Sequence, residues 1–172
     1  KSYIKDKEVD EETLPIQKTI SGMDDNTSHV VRASGNKPHS ILLLEDNNEL
    51  LQLMVRLLGR DYNVFTGANG KEGLEILENE DIDLVVSDIM MPEMDGIEVC
   101  RYIKERLDYS HIPIILLTAK NTEEDRAEAY ESGADAFISK PFNLPVLHAR
   151  IKNLLKYKER MARDFKNQLV FE

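Results

Sequence analysis

Ile41-Leu42-Leu43-Leu44 is an apolar run with no polar member, and the same form recurs at Leu84-Val85-Val86 and Ile114-Ile115-Leu116-Leu117. A strand of this kind has no face suited to water, so it must be covered on both sides. Shorter strand patterns lie at Asn63-Val64-Phe65-Thr66 and Ala136-Phe137-Ile138. Between the strands the apolar period lengthens to that of a helix. Leu50, Leu51, Met54, Leu57 and Leu58 share one helical face behind Asn47 and Asn48, either of which can cap it, and Gly59 marks the stop. Residues 70–79 form a second helix with Leu74 and Leu77 inward, and a third carries Ile97, Cys100, Ile103 and Leu107 on its inner side. Thr122-Glu123-Glu124-Asp125 has capping-box form and opens a fourth helix that ends near Gly133. Asn143 caps the last, with Pro145 tolerated in its first turn. Strands alternating with helices in this way imply an α/β fold, a parallel sheet between two helical layers.

Right-handed crossovers and a switch in strand order then place a site outside the carboxyl ends of the strands. Glu45 and Asp46 follow the first strand, Asp88 ends the third, Thr118 ends the fourth, and Lys140 lies just past the fifth. Each alone has an ordinary explanation: a helix cap, a strand end, a solvated charge. Together they converge on one rim. Clustered carboxylates repel unless a cation lies among them, and an oxygen-only donor set without His or Cys suits a hard ion, Mg²⁺. Asp88, the lone acid on the middle strand, is the candidate nucleophile toward phosphorus. Glu45 and Asp46 suit the metal, while Lys140 and Thr118 suit the oxygens of a transferring phosphoryl group.

Composition excludes several other classes. The net charge of −10 opposes a chain-wide nucleic-acid surface. Cys100 is the one cysteine, so no internal disulfide forms; it is read as a small core residue. No apolar run approaches the ~20 residues that span a bilayer. A nucleotide-binding fold is disfavoured because Glu45-Asp46-Asn47 follows the first strand where a Gly-rich loop would stand.

Ile41 to Asn47, Asp88-Ile89-Met90-Met91-Pro92-Glu93-Met94-Asp95-Gly96, Leu117-Thr118-Ala119, Gly133 to Phe137 and Lys140-Pro141-Phe142 together resemble the receiver domain of two-component response regulators. The resemblance covers residues 40–156. It implies a flavodoxin-like (βα)5 three-layer sandwich with strand order 2-1-3-4-5 and an extended C-terminal helix. It makes Asp88 the phosphoacceptor. Asp46, Asp88 and the main-chain carbonyl of Met90 become direct Mg²⁺ ligands, with Glu45 acting largely through water. Thr118 and Lys140 contact the phosphoryl group, and Phe137 becomes the switch aromatic that rotates inward as the threonine moves. The Lys140-Pro141 peptide is expected to be cis. Met90 and Lys120 occupy positions that tune loss of the phosphoryl group in the family. An apolar Met90 cannot orient an attacking water, which implies a phosphoryl lifetime of minutes or longer. The resemblance further implies that phosphorylation alters the surface formed by the fourth helix, fifth strand and fifth helix, and so controls output, read as transcription.

The flanks differ from this body. Residues 1–39 are polar, carry Pro15, Gly22, Gly35 and Pro38, and show no sustained period, which reads as an interdomain linker with exposed His29 and His39. Residues 157–172 prolong the last helix as a connector to an output domain; Leu147, Ile151, Leu154, Leu155, Met161 and Phe165 recur along it at helical spacings. Both flanks resemble those found in hybrid sensor histidine kinase/response regulators, so the chain is read as a piece of such a protein. The implied partners are a histidine kinase phosphodonor domain and, through the last helix or the fourth-helix to fifth-helix face (Arg126, Asp135, Arg150), a second copy. DNA is reached only through a missing output domain, and the piece itself has no membrane contact. The implied location is cytoplasmic, under a parent that can be anchored in the inner membrane. The alternative classes are a constitutive interaction module and an aspartyl-phosphate phosphatase. Such a phosphatase usually has a second Asp two residues after the nucleophile, where Met90 stands here.

Overall fold

A computed structural model describes residues 36–119 and 123–170. The elements run β1 (Ser40–Leu44), α1 (Asn48–Leu58), β2 (Asn63–Gly67), α2 (Gly70–Asn79), β3 (Leu84–Asp88), α3 (Gly96–Glu105), β4 (Ile114–Thr118), α4 (Glu123–Glu131), β5 (Ala136–Ser139) and α5 (Leu144–Val170). All five strands are parallel, in the order β2-β1-β3-β4-β5. This is the flavodoxin-like order that the resemblance implied, built on the covered parallel sheet that the apolar runs required.

The strands sort their side chains by parity. Leu42, Leu44, Val85, Ile114 and Leu116 enter one core with Ile76 and Leu77 of α2, Ile97, Cys100 and Ile103 of α3 and Ala129 of α4. Ile41, Leu43, Leu84, Val86, Ile115 and Leu117 enter the other with Met54 and Leu58 of α1 and Leu147, Ile151 and Leu155 of α5. Two helical layers therefore remove both faces of the sheet from water, which explains why β1 and β4 contain no polar alternation. Gly73 lets α2 lie close to β1: a Cβ there would meet Leu44 Cδ1 at 2.6 Å.

Side-chain caps set where the helices begin. Asn47 accepts from Leu50 N, Asn69 from Glu72 N and Asp95 from Glu98 N. Gly59 caps the C-terminus of α1, with its N–H donating to Val55 O at 2.9 Å. α4 is held lightly. Ala129 is its one buried side chain, and the chain just beyond it is fixed by Ser132, whose carbonyl accepts from Cys100 Sγ at 3.4 Å. The expected Thr122 cap, Lys120 and residues 1–35 lie outside the described residues.

Two expectations need correction. Leu107 does not line α3: the helix ends at Glu105, and Leu107 is 94% exposed. The polar Arg106 at the C-cap, extended at φ −104° and ψ 127°, turns the chain away before the next apolar position can face inward. His39 is not an exposed linker residue, because its Nε2 lies 2.8 Å from Glu159 Oε1. Farther along α5, Lys158 Nζ reaches Asp83 O at 3.4 Å.

The inner face of α3 is open to a direct test by urea unfolding. Ile103→Ala is expected to cost about 2–5 kcal/mol, whereas Leu107→Ala stays within about 0.5 kcal/mol. Equal losses at both positions would place Leu107 back in the core.

Candidate functional site

The strand order brings the carboxyl ends of β1, β3, β4 and β5 to one rim. β1 and β3 are neighbours in register, with Leu44 opposite Ser87, so Glu45 and Asp88 leave adjacent strands side by side. Glu45 is 1% exposed, Asp88 and Thr118 are buried, and Asp46 is open to solvent. Oxygens of Glu45, Asp46 and Asp88 all fall within 4.8 Å of one another.

Lys140 supplies the opposing charge. Its Nζ donates to Glu45 Oε2 at 2.8 Å and to Asp88 Oδ2 at 3.0 Å. Its backbone is fixed as well, since Lys140 N donates to Thr118 O at 2.6 Å where the ends of β4 and β5 lie in register. The following Lys140-Pro141 peptide is cis, as expected. Glu45 also accepts from the backbone N–H of Asn47 at 3.1 Å. Asn47 thus caps α1 with its side chain and holds the acid with its main chain. The second role leaves no trace in the sequence.

Burial pushes the Glu45 carboxyl above its ordinary value; the Lys140 hydrogen bond opposes this, and the nearby Asp88 charge adds to it. For Lys140, burial acts downward, but the hydrogen bonds to Glu45 and Asp88 prevail and raise it. Lys140 therefore stays charged through neutral pH. Its contribution to stability is present below the unfolded lysine value and is lost as pH rises through the folded one. Cys100 is no competing nucleophile, because burial pushes its thiol up and Ser132 O accepts its S–H.

The loop after Asp88 is tightly folded. Gly96 N donates to Ile89 O at 2.9 Å, and a Cβ on Gly96 would lie 2.2 Å from Asp88 O. Only a glycine lets α3 start against the strand that carries Asp88. Glu93 sits at φ +66°, in the left-handed region, between Pro92 O and Met94 N, which are joined at 2.8 Å. A non-glycine residue held there costs about 1 kcal/mol or more. Met90, two residues past Asp88, projects its side chain outward and is 56% exposed.

Phe137 is half-buried on β5, and its ring stacks on exposed Tyr130 of α4 at 5.8 Å and 29°. Tyr130 was not singled out in the sequence, where nothing distinguishes it from a solvated helix residue. Asp135 was named, with Arg126 and Arg150, as able to pair between copies. Within the chain its Oδ2 accepts from Lys104 Nζ at 2.9 Å and Ile114 N at 2.8 Å.

The arrangement fits a hard divalent cation by its donor set, which is all oxygen, closely grouped and richer in negative charge than one ammonium neutralises. It offers a carboxylate nucleophile beside a cationic side chain, the chemistry of phosphoryl transfer to Asp.

Known proteins resemble this chain in sequence and fold. A family model described as the response regulator receiver domain matches residues 41–152. Histidine kinase P4 of Formosa agariphila is 38% identical over 160 residues, which is 93% of this chain and 11% of that protein. The transcriptional regulatory protein AfsQ1 of Streptomyces coelicolor is 43% identical over 126 residues, 73% of this chain and 55% of that one. The crystal structure of a signal receiver domain of a signal transduction histidine kinase from Syntrophus aciditrophicus superposes with TM-score 0.66 at 37% identity, covering 69% of this chain and 90% of that one. The chain spans from about a tenth to somewhat over half the length of these two curated relatives.

Replacing Lys140 by Met removes its hydrogen bond and its charge, both of which hold the Glu45 carboxyl down, and leaves the Asn47 N–H in place. The Glu45 side chain, followed by carbon-detected NMR, is then expected to titrate at higher pH than in the parent chain. An unchanged titration would mean that Lys140 does not face Glu45 in solution.

Proposed function

Because this chain belongs to the response regulator receiver domain family, we propose that Asp88 is the residue through which it acts as a phosphoacceptor in two-component signalling. The position of Asp88 carries this assignment: it is the acid that ends the middle strand β3, buried yet paired with Lys140 Nζ at 3.0 Å, whereas Glu45, which shares that lysine, lies past the end of β1 on the side suited to the metal. An Asp88 oxygen forms the new bond to phosphorus as the bond from phosphorus to the donor's imidazole nitrogen breaks, and the imidazole leaves. Lys140, now within reach of both Asp88 and Glu45, then turns toward a phosphoryl oxygen, and Thr118 lies across the same rim. Glu45, Asp46 and Asp88, with the Met90 carbonyl, would hold Mg²⁺, which when bound offsets the negative charge of the incoming group.

The wider setting is a proposal of the same kind. The likeness to a histidine kinase extends over 160 residues, more than the receiver span can contain, and so takes in much of the sequence before Ile41. This supports a division into a linker (1–39), a receiver (40–156) and a connector (157–172) within a hybrid kinase/regulator, with a histidine kinase domain as donor and DNA reached through an output domain. Among the described residues no helix is long and apolar enough to cross a membrane. The domain acts as a signalling element whose own phosphorylation is its chemistry. The phosphatase alternative is disfavoured by Met90, whose thioether can neither donate nor accept a proton in hydrolysis.

Incubation with Mg²⁺ and acetyl phosphate is expected to add one phosphoryl group to the intact chain and none to Asp88→Asn. An adduct that persists in the Asn variant would sink the assignment. The adduct is further expected to last minutes or longer, and Met90→Asn or Met90→Glu to shorten it; decay of the parent adduct within seconds would refute the role given to Met90.

A further inference from the structure

α5 carries its inner face beyond the body of the domain. Leu147, Ile151 and Leu155 are buried against the sheet. The last contacts with the body are Lys158 Nζ on Asp83 O at 3.4 Å and Glu159 on His39 at 2.8 Å. At the helical turn of about 100° per residue, Met161, Phe165 and Leu169 continue the same face, with Tyr157 at its margin. These four side chains are between 52% and 62% exposed. Leu154 and Phe165 stand eleven residues apart, a spacing that keeps the stripe nearly straight along the helix.

The position of the chain's own beginning points to what covers it. Residues 36–39 lead into β1 and are held there by Lys37 N on Asn63 Oδ1 at 3.2 Å and by Asn63 Nδ2 on Lys37 O at 2.9 Å. The His39–Glu159 pair then fixes this approach against the root of the uncovered stripe. Phe165 lies only about 9 Å along the axis from Glu159. An extended chain covers about 3.3 Å per residue, so Val30 and Val31 reach it, as do Ile20, Ile16 and Leu14 behind them. Charge favours the same occupant. Lys152, Lys156, Lys158, Arg160, Arg163 and Lys166 outweigh Glu159 and Asp164 on the helix, while across residues 1–35 Asp6, Glu8, Asp10, Glu11, Glu12, Asp24 and Asp25 outweigh Lys1, Lys5, Lys7, Lys18 and Arg32 by two charges. A second copy paired in parallel along this stripe would instead set basic residues against basic residues.

We propose that residues 1–35 bind in cis along the Tyr157–Leu169 face, so that the segment before the domain and the helix after it form one unit. The full 172-residue chain carrying photoreactive benzoylphenylalanine at position 165 tests this. Irradiation is expected to give a product of monomer mass in which position 165 is joined to a peptide from residues 1–35. A product of dimer mass would overturn the proposal in favour of a second copy, and absence of any link to residues 1–35 would overturn it outright. Independently, the double substitution Met161→Glu/Phe165→Glu lies on exposed positions and leaves the sheet intact, which β1 and β3 peptides report. It is expected to speed amide exchange in peptides from residues 1–35 by about fivefold or more. Equal exchange in the two chains would overturn the proposal.

Discussion

The ammonium of Lys140 between Glu45 and Asp88 is the interaction on which this molecule turns. Two carboxylates at the ends of adjacent strands cannot both be charged and shielded from water without a compensating cation. The sheet order makes the neighbours, and β5, two strands away from β3, brings the lysine back to them. Because the Lys140 backbone is also bonded to Thr118, the charged cluster and the ends of two strands are one mechanical object. A change of charge at Asp88 must be felt by Lys140, and through Lys140 by the backbone of β4.

Much of this was readable before any coordinates. Ile41 to Leu44 and Ile114 to Leu117 have no polar alternation, and only a sheet covered on both faces satisfies them. The acids and the lysine at the strand ends followed from the same reading, since a parallel sheet leaves polar groups nowhere else to gather. The side-chain cap Asn47 marks a helix start through local chemistry, which is why the beginning of α1 was legible, whereas the cap Asp95 of α3 was recognised only in the fold.

What was not legible depends on distance in the chain. Leu107 continues the spacing of Ile97, Cys100 and Ile103, but periodicity does not say where a helix stops. The partners of Asp135 and His39 lie 31 and 120 residues away respectively, and no local pattern encodes such pairs. Tyr130 gains its meaning only from Phe137 across the gap between α4 and β5. Asn47 shows the same limit at short range: its side-chain role is a sequence signal, while its backbone bond to Glu45 exists only once β1 and α1 are in place.

α4 differs from the other helices in what it would lose by moving. Shifting α3 would uncover Ile97, Val99, Cys100 and Ile103, at about 1.5–3 kcal/mol for each large side chain, whereas α4 has only Ala129 of its own side chains buried, beside the Tyr130 stack on Phe137. Its first residue lies five positions after Thr118, on the strand end already bonded to Lys140. The fold thus has a built-in gradient of rigidity across its width. The face that senses charge is firmly anchored, and the softest helix stands next to it, where a small displacement at the rim meets the least resistance.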